Sequence, residues 1–301
     1  MKLGILSFRQ PSARAAEEEF LLKKAALSRG IKAEIFRSKF FQMIYDQKSP
    51  WLLYKGKKFP HCDVVITRPS VLRTALLEVS LVEQMELMGI LHFNKYQAIL
   101  SAKNKIKTMQ ILDYNGISIP KTVCVSRPDD LAQSVDLVGG FPVIVKEPFG
   151  SFGEGVTIVE SMRALKSFLR WKAPMYLLQE FVKHSKGKDV RVFVVNGKVI
   201  ASMERVAQKG EFRSNMELGG IGRSVEITPE EADLALRSVQ VLNLHYGGVD
   251  IIRGKNGPMV LEVNSNPGFK GLQSVTGVDV AGALVDFSID FYQRHKQKAG
   301  N

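Results

Sequence analysis

Asp250, Glu262 and Asn264 are the residues whose types and spacing most directly suggest chemistry. They lie in GVDIIRGKNGPMVLEVNSNPG, residues 248–268. Two apolar segments, Gly248–Arg253 and Met259–Asn264, flank turn residues at 254–258. The pattern predicts a β-hairpin with a five-residue connection. If Arg253 pairs with Met259, Asp250 stands opposite Glu262, and the strand period of two puts Asn264 on the face of Glu262. That face carries two carboxylates and an amide. Hard oxygen donors of this kind, completed by substrate phosphates, suit magnesium. A solvent-facing acidic hairpin would show the same spacing. The apolar neighbours Val249, Ile251, Val260, Leu261 and Val263 argue for a buried strand pair, and buried carboxylates need a cation.

A second candidate is EPFGSFGEG, residues 147–155, between predicted strands at 142–146 and 156–160. Walker and dinucleotide-binding loops open directly into a helix. This loop joins two strands, so it reads as a flap whose backbone N–H groups can close over phosphates. Its candidate contacts are Gly150, Ser151, Phe152, Gly153 and Gly155. An ordinary glycine hairpin is the plainer alternative. Lys146, on the strand entering the flap, can bring an ammonium to phosphates.

Two further stretches belong with these. YLLQEFV, residues 176–182, predicts a buried strand. Its exit, Gln179, Glu180, Phe181 and Val182, can offer backbone groups to an adenine edge; an interior strand with a polar exit fits the residues equally well. Asn196-Gly197 then predicts a hairpin between strands 189–195 and 198–204. Asp189 and Arg191 share a face of the first strand. Arg205 ends the second, and Arg213 and Asn215 follow in EFRSN. Arginines so placed can grip carboxylates or phosphates; a solvated basic edge is the alternative.

The elements that must position these residues are legible in outline. Strands are predicted at Lys2–Phe8, Lys32–Arg37, Asp63–Thr67 and Leu91–Asn94, with helices at Pro11–Arg29 and about 73–88. Alternation of this kind is α/β with a mostly parallel sheet. No glycine fingerprint follows the first strand, so no dinucleotide site is assigned there. One helix is predicted over Lys95–Asn115, stopped by Gly116. A strand at 121–126 and a helix at about 129–138 precede the flap. Thr228-Pro229-Glu230-Glu231 is a capping box opening a helix to about Tyr246. A last helix runs from Val280 to about Lys296.

The 301 residues carry a net charge of +12, with 45% apolar and 24% charged residues. This is ordinary composition for a soluble globular protein, with no low-complexity segment and no repeat at solenoid periods. The positive charge suits nucleotides, nucleic acid or an acidic polypeptide. The basic residues are dispersed, and no zinc-finger or helix-turn-helix pattern appears. No apolar run reaches the roughly 18 residues of a membrane span, and the N-terminus lacks the marks of a signal peptide. Cys62 and Cys124 have no ligand spacing, which suits reduced thiols and a cytoplasmic location. No serine or cysteine triad pattern is present.

Taken together, these motifs resemble the ATP-grasp carboxylate–amine ligases, and among them the RimK-type α-L-glutamate ligases, which add glutamate to the C-terminus of a small-subunit ribosomal protein. The resemblance rests on LVGGFPVIVK (137–146), DVRVFVV (189–195), MERVAQKGEFRSNMELGG (203–220) and the hairpin at 248–268. It implies an α/β (α+β overall) ATP-grasp fold with three parts. These are an N-terminal α/β pre-grasp domain (1–94), a central lid domain (95–183) and a C-terminal domain with the metal site (184–301).

The resemblance also implies ATP with one or two Mg²⁺ or Mn²⁺ ions on Asp250, Glu262 and Asn264. Lys105 and Lys146 would contact phosphates, residues 179–182 adenine and Asp189 the ribose. Arg205, Arg213 and Asn215 would hold the acyl phosphate or acidic substrate. The implied partners are L-glutamate and an acidic protein or peptide C-terminus, with a ribosomal protein among the acceptors the resemblance implies, no membrane, and a homo-oligomer, a tetramer by resemblance. A small-molecule or carrier-protein acceptor is the alternative within the fold. A non-catalytic basic ribosome- or nucleic-acid-binding protein is the alternative outside it. The sequence differs from the family pattern in the apolar lead-in EPFGSFGEGV and in NSNPG, where Asn266 is unusual.

Overall fold

The computed structural model describes residues 1–8, 17–46, 50–69, 75–126, 129–150, 155–169, 175–216 and 219–299. Among the N-terminal elements, β1 (Lys2–Ser7), β2 (Lys32–Arg37), β6 (Val64–Arg68) and β7 (His92–Phe93) form a parallel sheet in the order β2-β1-β6-β7. The expected parallel α/β unit is therefore present. Period-two alternation sorts its core. Leu3 and Ile5 pack with α1 (Glu17–Ser28) and α9 (Val280–Ala299), and Leu6 and Val65 pack with α2 (Ala75–Leu87) and α3 (Tyr96–Lys103). The C-terminal helix thus returns to cover the N-terminal sheet.

The sequence reading assigned nothing to residues 38–60. There β3 (Phe41–Tyr45), β4 (Pro50–Tyr54) and β5 (Lys57–Lys58) form a separate antiparallel sheet. The predicted helix start at Pro11 lies outside the described residues.

The single helix expected over Lys95–Asn115 is two helices. Asn104 leaves helical geometry (φ −94°, ψ 104°) and ends α3. Its Oδ1 then accepts the N–H groups of Ile106 and Lys107, capping α4 (Lys105–Tyr114). Asparagine favours this role because its short side chain competes for backbone N–H groups. The break puts Lys105 at the first turn of α4, where its N–H donates to the Pro148 carbonyl at 2.9 Å.

The central sheet is antiparallel. It comprises β8 (Thr122–Val125), β9 (Val143–Lys146), β10 (Val156–Val159) and β11 (Tyr176–Glu180), ordered β10-β9-β11-β8. Helices α5 (Leu131–Leu137) and α6 (Met162–Phe168) share a core with it through Leu131, Val135 and Leu165.

The largest sheet holds β12 (Lys188–Val195), β13 (Lys198–Val206), β14 (Ile221–Ser224), β15 (Tyr246–Gly254) and β16 (Gly257–Asn264). Their order is β14-β13-β12-β15-β16, with antiparallel neighbours throughout. Asn196 and Gly197 both have positive φ (49° and 69°), the twist a two-residue hairpin needs. Helix α7 (Pro229–Val241) carries the expected capping box at Thr228 and Glu231. It stops well before Tyr246, because Asn243 turns left-handed (φ 55°) and Tyr246 already pairs with Val195 in the sheet. Strand β14 and helix α8 (Lys270–Thr276) were not foreseen. Helices α3 and α4 share a core with this sheet through Ala98, Met109 and Leu112. Among the described residues, no single helix is both long and apolar enough to cross a membrane.

Candidate active site

The hairpin β15–β16 reaches the expected pairing by a different route. Its turn is the two-residue Lys255-Asn256, with Gly254 opposite Gly257 and Arg253 opposite Pro258, not Met259. That register alone would leave Asp250 one step out of line with Glu262. A β-bulge between the Ile251↔Val260 and Asp250↔Glu262 pairs absorbs the extra residue, Leu261. The bulge restores the alignment and turns Leu261 and Glu262 into the cleft. Asn264 shares the face, and its Nδ2 donates to Glu262 Oε1 at 2.9 Å.

Asp250 is deeply buried and held by two arginines. Arg191 binds it bidentately at 2.7 and 2.6 Å, and Arg205 Nη2 lies 2.8 Å from the same carboxylate. Burial pushes its carboxyl upward, but Arg191 and Arg205 outweigh this and hold it well below the usual carboxylate range. Asp189 accepts Arg205 Nε and Nη2 at 2.7 and 2.6 Å, and the hydroxyl of Ser214 at 2.7 Å. Gly248 lies opposite Asn264 and under Pro267, where a Cβ would come within 2.6 Å of the proline Cβ.

Two lysines face this acidic edge. Lys146 is buried at the end of β9, and burial lowers its ammonium to about 8, with Glu262 pulling it back and Lys105 adding to the fall. Lys105 donates to the Gly150 carbonyl at 3.0 Å. Its pKa is likewise lowered by burial, which Glu262 and Glu147 oppose. Two buried ammonium groups side by side are uncomfortable without a polyanion between them.

The cleft between the central and C-terminal sheets encloses about 1010 Å³, open solvent included, ample for a nucleotide. It brings together Lys105, Lys146, Gly150, the segment Gln179–Val182, Asp189, Arg205, Arg213, Asn215, Asp250, Glu262 and Asn264. Gln179 is anchored by its Nε2 to the Thr122 hydroxyl at 2.8 Å. Arg213 is half-exposed and forked onto Glu211, at 3.1 and 2.7 Å.

Two expected contacts stand aside from the cleft lining. Arg191 backs Asp250, and Gly155 (φ 70°) closes the flap's base by accepting the Glu147 N–H at 2.9 Å. Ser151, Phe152 and Gly153 lie outside the described residues. Sequence reasoning missed Ser214 and the apolar walls Ile144, Val156, Ile252 and Leu261. Ile144 carried a signal, since it shares the strand face of Lys146. Ser214 carried none, being a loop serine ordered only by tertiary contact.

The family model described as RimK-like ATP-grasp domain matches residues 102–288, and that described as RimK PreATP-grasp domain matches residues 1–99. The chain belongs to the RimK-like ATP-grasp family. It is 37% identical to a probable alpha-L-glutamate ligase of Coxiella burnetii and 38% identical to one of Aliivibrio fischeri, over 95% of each chain in both comparisons.

Solved structures share the fold at lower identity. The ATP-grasp ligase PsnB complexed with minimal precursor superposes with a TM-score of 0.75 at 20% identity, covering 96% of this chain and 98% of that one. The D-alanine–D-alanine ligase of Bacillus anthracis complexed with ATP gives 0.69 at 17%, covering 99% of each. This RimK-like ATP-grasp chain is an ATP-dependent ligase.

Magnesium fits the donor set. No group of three His, Cys, Asp or Glu side chains poised for a metal exists among the described residues. Two carboxylates and an amide completed by phosphate oxygens are the pattern magnesium accepts. Glu262 and Asn264 open onto the cleft, while Asp250 Oδ2 is taken by both arginines and Oδ1, bonded to Arg191 Nε alone, keeps a lone pair.

Proposed function

We propose that this chain is an α-L-glutamate ligase that extends the C-terminus of a protein or peptide. The reading is carried by one observation. Lys105 and Lys146 face Glu262 and Asn264 across a single cleft, an arrangement that needs a polyphosphate and a divalent cation between its two walls. The names of the relatives at 37–38% identity supply the amino acid. PsnB and the macrocyclase MdnC, both complexed with precursor peptides, supply the precedent for a peptide on this fold.

In this reading the acceptor carboxylate attacks the γ-phosphate of ATP, forming an acyl phosphate and releasing ADP. The amine of L-glutamate then attacks the acyl carbon, and phosphate leaves. No nucleophilic side chain is needed; positioning and charge neutralisation carry the step. Lys105 and Lys146 hold phosphate oxygens, the 179–182 segment lines the adenine and Asp189 orients the ribose. Arg213 and Asn215 face the acidic substrate, with Arg205 behind them. Asp250, Glu262 and Asn264 hold one or two Mg²⁺ or Mn²⁺ ions, which when bound neutralise phosphate charge.

The three-part division at about 94 and 183 belongs to the same reading, the first part shaping the acceptor site. So do a ribosomal acceptor, a cytoplasmic location and a tetramer. The test is mass spectrometry of products from ATP, L-glutamate and candidate peptides, with ADP release followed in parallel. Mass increments of one or more glutamates are expected. ADP release indifferent to glutamate and to every acceptor would sink the reading.

A further inference from the structure

The chain that leaves Asn264 is gripped by the N-terminal sheet. Asn94 Nδ2 donates to the Ser265 carbonyl at 2.9 Å, and Asn266 Nδ2 donates to the Pro69 carbonyl at 2.8 Å. Arg68 reaches the Pro267 carbonyl at 3.4 Å and lies over the Phe269 ring, 5.1 Å from its centroid. Glu18 completes the grip. Its Oε1 accepts the backbone N–H groups of Phe269 and Lys270, and its Oε2 pairs with Arg68.

Glu18, Arg68, Asn94 and Asn266 are all buried. From the other side Pro267 rests on Gly248, the strand partner of Asn264. Residues 265–270 are thus held on both flanks. A buried Glu–Arg pair is weak evidence for stability, and its best use is to fix one arrangement among several. Metal ligands need such fixing, because displacement by about 0.5 Å already degrades a site.

We propose that Glu18 is a positioning residue, holding the 265–270 segment so that Asn264 is set at the metal site and the N-terminal domain is coupled to the cleft. The proposal rests on the reading of Asn264 as a metal ligand.

Mn²⁺ binding, followed by electron paramagnetic resonance with a saturating non-hydrolysable ATP analogue, tests it together with hydrogen exchange at Phe269 and Lys270. Glu18→Gln is expected to speed exchange at both amides and weaken Mn²⁺ binding about tenfold. Metal-free analogue affinity should stay within about twofold of the parent. Asn266→Ala removes only the bond to Pro69 and should weaken Mn²⁺ binding about twofold to threefold; it decides the matter if Glu18→Gln does not fold. Faster exchange with unchanged Mn²⁺ affinity would overturn the proposal. Asn264→Ala serves as control. If it binds Mn²⁺ like the parent, the metal reading fails first and the proposal falls with it.

Discussion

Arg205 on β13 reaches Asp250 on β15 at 2.8 Å, across the whole width of β12. The contact is diagonal. Asp189 stands opposite Arg205, and Arg191 stands opposite Asp250. Four charges alternate on one sheet face, and each carboxylate takes at least two N–H donors. Arg205 is only 2% exposed, and its fork is engaged by protein carboxylates. Its observed contacts are with these two acids.

Removal of the fork should therefore be felt in stability. Arg205→Ala leaves two buried acids short of a partner and should cost about 3–5 kcal/mol. Arg213→Lys, at a half-exposed site, should change stability by less than about 0.5 kcal/mol while impairing glutamate use. Urea denaturation of both variants, beside the glutamate KM, checks this. Equal stability losses would contradict the assignment of roles.

The proposed metal ligands make a sharper case. Glu262→Gln keeps shape and removes a charge facing both lysines. Ligation should fall at least about 100-fold with the fold intact, since charge neutralisation of the phosphates is most of the catalysis. Asp250→Asn should lose activity too, and stability as well, because Arg191 and Arg205 lose their shared partner. Near-normal turnover of either variant at ordinary magnesium would refute the ligand set.

Lys146 gives a pH signature. Its ammonium sits at about 8 in the folded chain against an ordinary 10.5. The unfolded chain therefore binds more protons between these values, so this group's contribution to stability rises with pH from 8 to 10.5. Below 8 the full burial penalty, roughly 3 kcal/mol, is in force. ATP needs the charged form, so affinity should weaken as pH rises past 8, by about tenfold per unit in the limit. Lys146→Arg keeps its charge and should flatten the profile. Calorimetric titration of an ATP analogue from pH 7 to 9.5 measures it, and a flat wild-type profile would rule the role out.

Substrate charge is open to a salt experiment. A protein of net charge +12 attracts acidic peptides over long range. An acidic acceptor terminus should react faster than a neutral one at low salt, and the advantage should shrink near 0.1 M, where screening acts beyond about 10 Å. Initial rates for the two peptides against ionic strength decide it. Identical low-salt rates would leave the net charge without a role in acceptor capture.

Much of this site was legible before any coordinates. Residue types and period two put Asp250, Glu262 and Asn264 on one face, and the loop after Lys146 was recognisable as a flap because strands bound it on both sides. Helix caps, the Asn196-Gly197 turn and the alternating N-terminal strands are local devices, and local physics writes them into sequence directly. The errors were also local in origin. Periodicity continues across Asn104 and hides the helix break, and the 38–60 stretch buries only a few of its described residues, such as Leu52 and Phe59, so its strands show no clear alternation in the sequence.

What the sequence determined by itself is the set of groups on offer: oxygen donors, lysines and glycines whose chemistry suits the proposed phosphate and magnesium site. What only the tertiary structure decided is how those groups are shared. The bulge at Leu261 realigns Asp250 with Glu262 within one hairpin, and the diagonal from Arg205 to Asp250 and the grip of Glu18 on Phe269 and Lys270 join residues far apart in the chain. Such contacts depend on how sheets twist and pack, and a charge in the sequence carries no mark of which distant partner will neutralise it.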